Sequence, residues 1–333
     1  MPSRVGSRSG LTLLELIVSL AVIGALLAVL LPAVAAAKRS ADSLSCKNKL
    51  KQLSLAVQNY TGIFGTGPDV KTLPIRLARQ LEYEAESIYA PTGGNIRSSP
   101  AVWRCPSDQI DPSYGAFSYV ASNGVAYWDY FAFGSYDRSR FPKFNILAEK
   151  EVTDGSSNTV LFSEMVLTEE NQDPELSFWI PPAGYEPPVP PGVPAVRFVW
   201  ETGPSQFGVS PTVPHEESLA LFAADCDQPQ SRIYVNRAGV GHQNRRDLRY
   251  QTLNDPGFNA VNTPNTASCV PEAMPVFPEN YQQETPPEYG SYAASSFHPG
   301  TVNAARFDGS VQSVSEEIDP AVWQALNSSN GSD

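Results

Sequence analysis

GLTLLELIVSLAVIGALLAVLLPAVAAA, residues 10–37, is the stretch that decides the architecture. Between Leu16 and Leu31 only Ser19 and Gly24 interrupt the apolar run, and neither is charged. A membrane span needs about 20 apolar residues at about 1.5 Å of rise each, and Leu13–Val34 supplies them, with Pro32 near the far end. One carboxylate, Glu15, opens the run. A charge at the bilayer centre costs ~2.5–3.5 kcal/mol. Glu15 lies only five residues past Gly10, so it sits near the interface, in the first helical turn, where a negative charge meets the positive end of the helix dipole. A simple anchor or a secretory signal has no use for this glutamate. Ala35-Ala36-Ala37 offers a small-residue cleavage site behind Arg4 and Arg8, but signal h-regions run about 7–15 residues.

The helix continues beyond the span. Residues 38–60 contain no glycine or proline, and Leu50, Leu53, Val57 and Tyr60 recur at spacings of three and four. That is an amphipathic stripe. The spacing predicts one helix from Leu11 to Tyr60, about 75 Å long, stopped at Thr61-Gly62. Its first half suits lipid or neighbouring helices, and its second half lays one face on a globular domain. Lys38, Arg39, Lys47, Lys49 and Lys51 follow the apolar run. A positive-inside count would keep the following domain in the cytoplasm.

Composition supports export of the rest of the chain. Residues 1–60 hold seven of the 23 basic and two of the 35 acidic residues, which leaves residues 61–333 with a formal net charge of −17. Such a surface disfavours polyanions, so no nucleic-acid partner is expected. The 30 prolines and many Asn, Ser and Gly predict a loop-rich β domain over 61–333. Strand-like runs are Phe117–Ala121, Thr159–Phe162, Arg197–Trp200, Val302–Phe307 and Ser310–Val314. Pro-rich stretches at about 181–195 and 263–290 read as insertions, extended where proline is dense.

The four cysteines, Cys46, Cys105, Cys226 and Cys269, form no C-x-x-C pair, which argues against a zinc or redox motif. Four cysteines allow three connectivities, and free buried thiols are the alternative. Cys46–Cys105 and Cys226–Cys269 are the pairing we expect. The first would staple the long helix to the domain, and the second would close an insertion.

Near the C-terminus, His298-Pro299-Gly300 leads into one strand-like run, and Asp308-Gly309 separates it from the next. Asp-Gly between two such runs predicts a hairpin with a type I′ turn. Nine residues separate His298 from Asp308.

Two resemblances emerge. Gly10-Leu11-Thr12-Leu13-Leu14-Glu15 resembles the processing site of type IV prepilins and pseudopilins. The resemblance implies cleavage after Gly10 by a prepilin peptidase and methylation of Leu11. It also implies that Glu15 pairs with the amino terminus of a neighbouring pilin-like subunit. The family usually carries Phe or Met after the glycine, where this chain has Leu11. The His-x9-Asp-Gly pattern resembles the C-terminal signature of a large pilin-like family, expanded in planctomycete bacteria and known as a domain of unknown function with an H-x9-DG label. Cys105-Pro106-Ser107-Asp108 resembles its C-P-S-D element, and Asp154-Gly155-Ser156-Ser157-Asn158-Thr159, running on to Glu164, resembles its D-G-x-S-N-T segment. The expected architecture is therefore α+β and pilin-like: leader 1–10, membrane part 11–37, amphipathic extension 38–60 and exported domain 61–333.

The expected function is a membrane-anchored, non-enzymatic structural subunit of a type IV pilus-like or type II secretion-like assembly. It would sit in inner-membrane lipid as a single-pass protein, with its domain in the periplasm or at the cell surface. Major pseudopilins bind calcium, so the resemblance implies calcium as the one cofactor to consider, with Asp154, His298 and Asp308 as candidate ligands. A hydrogen-bonded His298 that fixes the hairpin is the simpler reading. No G-x-S-x-G, H-E-x-x-H or phosphate-cradling loop is present. The alternative is a solitary anchored protein whose ectodomain binds a ligand such as a glycan. Its candidate surface is the aromatic run Tyr127, Trp128, Tyr130, Phe131 and Phe133.

Overall fold

A single helix, α1 (Leu13–Phe64), carries both halves of the N-terminal region, with Pro32 inside it. The computed structural model describes residues 13–70, 73–84, 100–108, 117–122, 124, 145–165, 178–179, 199–202, 229–234, 257–258, 260, 262–266, 268–270 and 293–329. The chain forms two units, residues 1–42 and 43–333. In the first, the large side chains from Leu13 to Val34 are exposed along the helix. α1 is long and apolar enough to cross a membrane. Gly10 and Leu11 lie outside the described residues.

In the second unit, α1 buries Cys46, Leu50, Leu53, Ser54, Ala56 and Val57. These positions follow the three- and four-residue rhythm of one helical face. The helix runs past Thr61-Gly62, which stay helical, and stops at Gly65. Gly65 adopts φ +71° and donates its N–H to Thr61 O at 2.8 Å. Only glycine takes that left-handed C′ position without a Cβ penalty. A second short helix, α2, spans Leu73–Leu77.

The first sheet is built from β1 (Tyr119–Ser122), β2 (Val160–Glu164), β6 (Gly257–Phe258), β8 (Thr301–Arg306) and β9 (Val311–Ser315). Its order is β6-β1-β2-β8-β9. β1–β2, β2–β8 and β8–β9 pair antiparallel, and β6 adds a parallel edge beside β1. Between β2 and β6 in the chain run β3 (Phe178–Trp179), β4 (Val199–Thr202) and β5 (Pro229–Tyr234). They join β7 (Ser268–Val270) in a second sheet of order β3-β5-β4-β7. The architecture is thus the expected α+β one, a long helix preceding a β domain. The five strand-like runs of the sequence are β1, β2, β4, β8 and β9, each displaced by two residues at most. The sequence reading missed β3, β5, β6 and β7.

All five residues of β2 are buried, because the first sheet is covered on both faces. On one face, Tyr119, Ala121, Phe162, Ala305 and Phe307 pack with the α1 stripe. On the other, Val120, Val302, Ala304 and Val314 pack around Trp323. Trp323 belongs to α3 (Pro320–Asn327), and its ring stacks on Phe258 with centroids 5.9 Å apart. The sequence reading also missed α3, although its start is marked: Asp319 caps it and accepts from Ala321 N at 2.9 Å, with Pro320 following.

The Asp308-Gly309 hairpin forms with a different turn from the one expected. Gly309 has φ +79°, and Asp308 is not left-handed. Gly309 N donates to Arg306 O, and Arg306 N donates to Ser310 O. This is a three-residue loop with glycine at its bulge position. A type I′ turn would need positive φ at both central residues, and only glycine takes it cheaply. Pro-rich residues 181–195 and 271–290 and the aromatic run 127–133 lie outside the described residues.

Candidate functional site

Four side chains from four distant segments meet in the layer between α1 and the first sheet. Cys46 stands one turn before Leu50 on the buried face of α1. Cys105 follows the 3-10 turn Ala101–Trp103. Glu164 ends β2, and His298 lies in the turn that enters β8. All four are buried, and their ligating atoms lie within 4.8 Å of one another.

Cys46 and Cys105 are joined by a disulfide across a sequence separation of 59. The Cys105 loop is held from several sides. Cys105 N donates to Ser118 Oγ at 3.0 Å, and Asp108 N returns to Cys105 O at 3.1 Å. Lys49 Nζ, one turn from Cys46, donates to Arg104 O at 2.7 Å. Partial burial lowers the Lys49 ammonium below the usual lysine range, and the neighbouring Arg104 charge adds to this. The Cys226–Cys269 pairing falls on side chains outside the described residues.

Glu164 is a buried carboxylate that ends β2, next to Ser163. It points toward α1 because it alternates with Phe162. Asn303 satisfies it from the adjacent strand, its backbone N–H reaching Oε2 at 2.8 Å and its Nδ2 reaching Oε1 at 3.0 Å. Ser313 Oγ donates to Asn303 Oδ1 at 2.8 Å and orients the amide. Tyr119 stands opposite Glu164 in the β1–β2 register. Burial raises its phenol above the usual tyrosine range, and the Glu164 charge raises it further.

His298 N donates to Ser296 Oγ at 3.0 Å, and His298 O accepts from Thr301 N. This places Nε2 3.2 Å from Glu164 Oε1 and 3.5 Å from Cys105 Sγ. At that distance an Nε2–H would donate and Glu164 Oε1 would accept.

The expected grouping of His298 with Asp308 and Asp154 is not the one assembled. His298 and Asp308 flank opposite ends of β8. Asp308 instead shapes its own turn, accepting from Ser310 N at 2.8 Å, and its backbone N–H donates to Ser156 O at 3.0 Å. Asp154 caps its own loop by accepting Asn158 Nδ2 at its backbone oxygen. Among the described residues, the potential ligating group is Cys46, Cys105, Glu164 and His298. Sequence reasoning named Glu164 only as the end of the segment that begins at Asp154, gave it no role in a site, and did not single out Asn303. The available signal was weak: Glu164 ends a mainly apolar run, and Asn303 lies between Val302 and Ala304.

Both ends of β8 contact α1. The His298 end meets it through Cys105 and Cys46, and at the other end Gln58 Nε2 donates to Phe307 O. A Cβ on Gly309 would lie 3.6 Å from Leu55. From Cys46 to Gln58 the helix rises about 18 Å, close to the about 20 Å of a six-residue strand. The His-x9-Asp-Gly spacing is therefore the length of a strand fastened to α1 at both ends.

A family model described as a protein of unknown function, DUF1559, matches residues 77–321, more than half of the chain. The chain belongs to that family. In DUF1559 terms, the match runs from α2 to the start of α3. It includes Cys105, Glu164, His298 and Asp308, and leaves Cys46 and the apolar half of α1 outside. No curated protein and no solved structure matches the chain.

Proposed function

We propose that this protein is a prepilin-like, membrane-anchored structural subunit, cleaved after Gly10 and assembled with other pilin-like subunits through its N-terminal helix. The observation that carries this reading is α1 itself. One uninterrupted helix has an apolar first half opened by Glu15 and a second half whose buried face belongs to the β domain's core. In this reading the apolar half lies in the inner membrane, and the DUF1559 domain stands outside it, in the periplasm or at the cell surface. The four-residue cluster is closed to solvent and fastens α1 to the sheet, so we assign it a structural rather than a catalytic role.

The test is the assembly state and amino terminus of the membrane-extracted protein. We expect a mature chain beginning at methylated Leu11. We also expect Glu15→Ala to abolish cross-linked multimers while leaving insertion intact. Unchanged multimers in Glu15→Ala would instead support a solitary anchored protein whose ectodomain binds a ligand. A start after Ala37 would make it a released secreted protein.

A further inference from the structure

The disulfide, the histidine and the carboxylate carry a second chemistry when the disulfide is open. We propose that reduced Cys46 and Cys105, with His298 Nε2 and Glu164 Oε1, form a tetrahedral zinc site. Opening the disulfide would then exchange one cross-link between α1 and the sheet for another. The proposal does not depend on filament assembly.

Geometry supports it first. With zinc–sulfur bonds of about 2.3 Å and zinc–nitrogen or zinc–oxygen bonds of about 2.0–2.2 Å, a tetrahedron has S···N edges of about 3.5 Å and N···O edges of about 3.3 Å. The Cys105 Sγ–His298 Nε2 separation is 3.5 Å, and the His298 Nε2–Glu164 Oε1 separation is 3.2 Å. Two edges of the site are therefore already in place. Once the covalent bond is broken, the sulfurs need only separate to about 3.8 Å. The ligating atoms already lie within 4.8 Å of one another.

The outer shell supports it next. Metal-bound carboxylates are themselves held by hydrogen bonds, and Asn303 grips both oxygens of Glu164, with Ser313 behind it. Tyr119 OH is buried with no hydrogen-bond partner among the described residues, on the strand residue paired with Glu164.

Charge supports it last. With zinc, two thiolates and Glu164 would contribute three negative charges against two positive, so the ion supplies its own compensating charge to the core.

The step balances. Thiol–disulfide exchange with a dithiol delivers two electrons and two protons to the sulfurs, and the dithiol leaves as its own disulfide. In vitro a phosphine does the same and leaves as its oxide, with oxygen from water. Zinc then displaces the two thiol protons into solvent, and the remaining imidazole proton sits on Nδ1.

The experiment uses the full chain in detergent, with and without phosphine reduction, titrated with zinc and with cobalt as a spectroscopic stand-in. We expect the oxidised protein to bind no zinc at the cluster. We expect the reduced protein to bind one zinc there, to regain the melting temperature lost on reduction, and to show tetrahedral thiolate–cobalt absorption. His298→Gln and Glu164→Gln should each weaken zinc binding at least tenfold, and Cys46→Ser/Cys105→Ser should remove the thiolate band. Cys226→Ser/Cys269→Ser should retain it. A reduced wild-type chain that neither binds zinc nor regains stability would overturn the proposal. So would binding indifferent to His298→Gln and Glu164→Gln, or a thiolate band that follows Cys226 and Cys269.

Discussion

Tyr119 stands across the strand pair from Glu164, its hydroxyl buried and without a hydrogen-bond partner among the described residues. An orphaned buried hydroxyl costs about 1–3 kcal/mol, so Tyr119→Phe should raise stability at neutral pH by about 1 kcal/mol. The pH dependence has a definite sign. Burial first, then Glu164, holds the folded phenol's pKa above its ordinary value of 10.0. Below that pH both states are protonated. Above it the unfolded chain loses the proton that the native state keeps, so wild-type stability falls as pH rises. The Tyr119→Phe variant has no such loss. Urea unfolding at neutral pH and above pH 10 should show the advantage of Tyr119→Phe widening with pH, and a constant gap would refute the assignment. The identity of each residue here was readable in the sequence. That Glu164 is buried, satisfied by Asn303 and next to a disulfide was not, because no local pattern predicts which polar residue of an apolar strand will find a partner.

At the scale of elements, local chemistry was largely legible. Alternating or short apolar runs located β1, β2, β8 and β9, and the three-and-four spacing of Leu50, Leu53 and Val57 located the buried face of α1. Turn type and helix end were misread for one reason: more than one local solution fits an Asp-Gly or Thr-Gly pair. Packing selects among them, and here Gly309 sits against Leu55 while Gly65 ends α1. α3 depends on its cap, since Asp319 accepts from both Ala321 N and Val322 N. Asp319→Ala should cost about 1 kcal/mol of global stability, and Asp319→Asn, which also caps, should cost less. Equal losses in thermal unfolding would show that the side chain acts otherwise than as a cap.

For the whole molecule, the decisive link is between α1 and the β domain. The disulfide closes a loop with a sequence separation of 59, so under oxidising, metal-free conditions Cys105→Ser should destabilise by about 4 kcal/mol. A loss well under about 1 kcal/mol in denaturant unfolding would mean that the apolar stripe alone holds the helix. By itself the sequence determined the long helix, its apolar half, the acidic β domain and the main strands. Each of these follows from composition and short-range periodicity, which act within a few residues. Only the tertiary structure decided that His298 faces Glu164 and Cys105 rather than Asp308. A strand carries its two ends about 20 Å apart, so residues joined by a short motif are separated, while residues from four remote segments are brought together in the layer between helix and sheet.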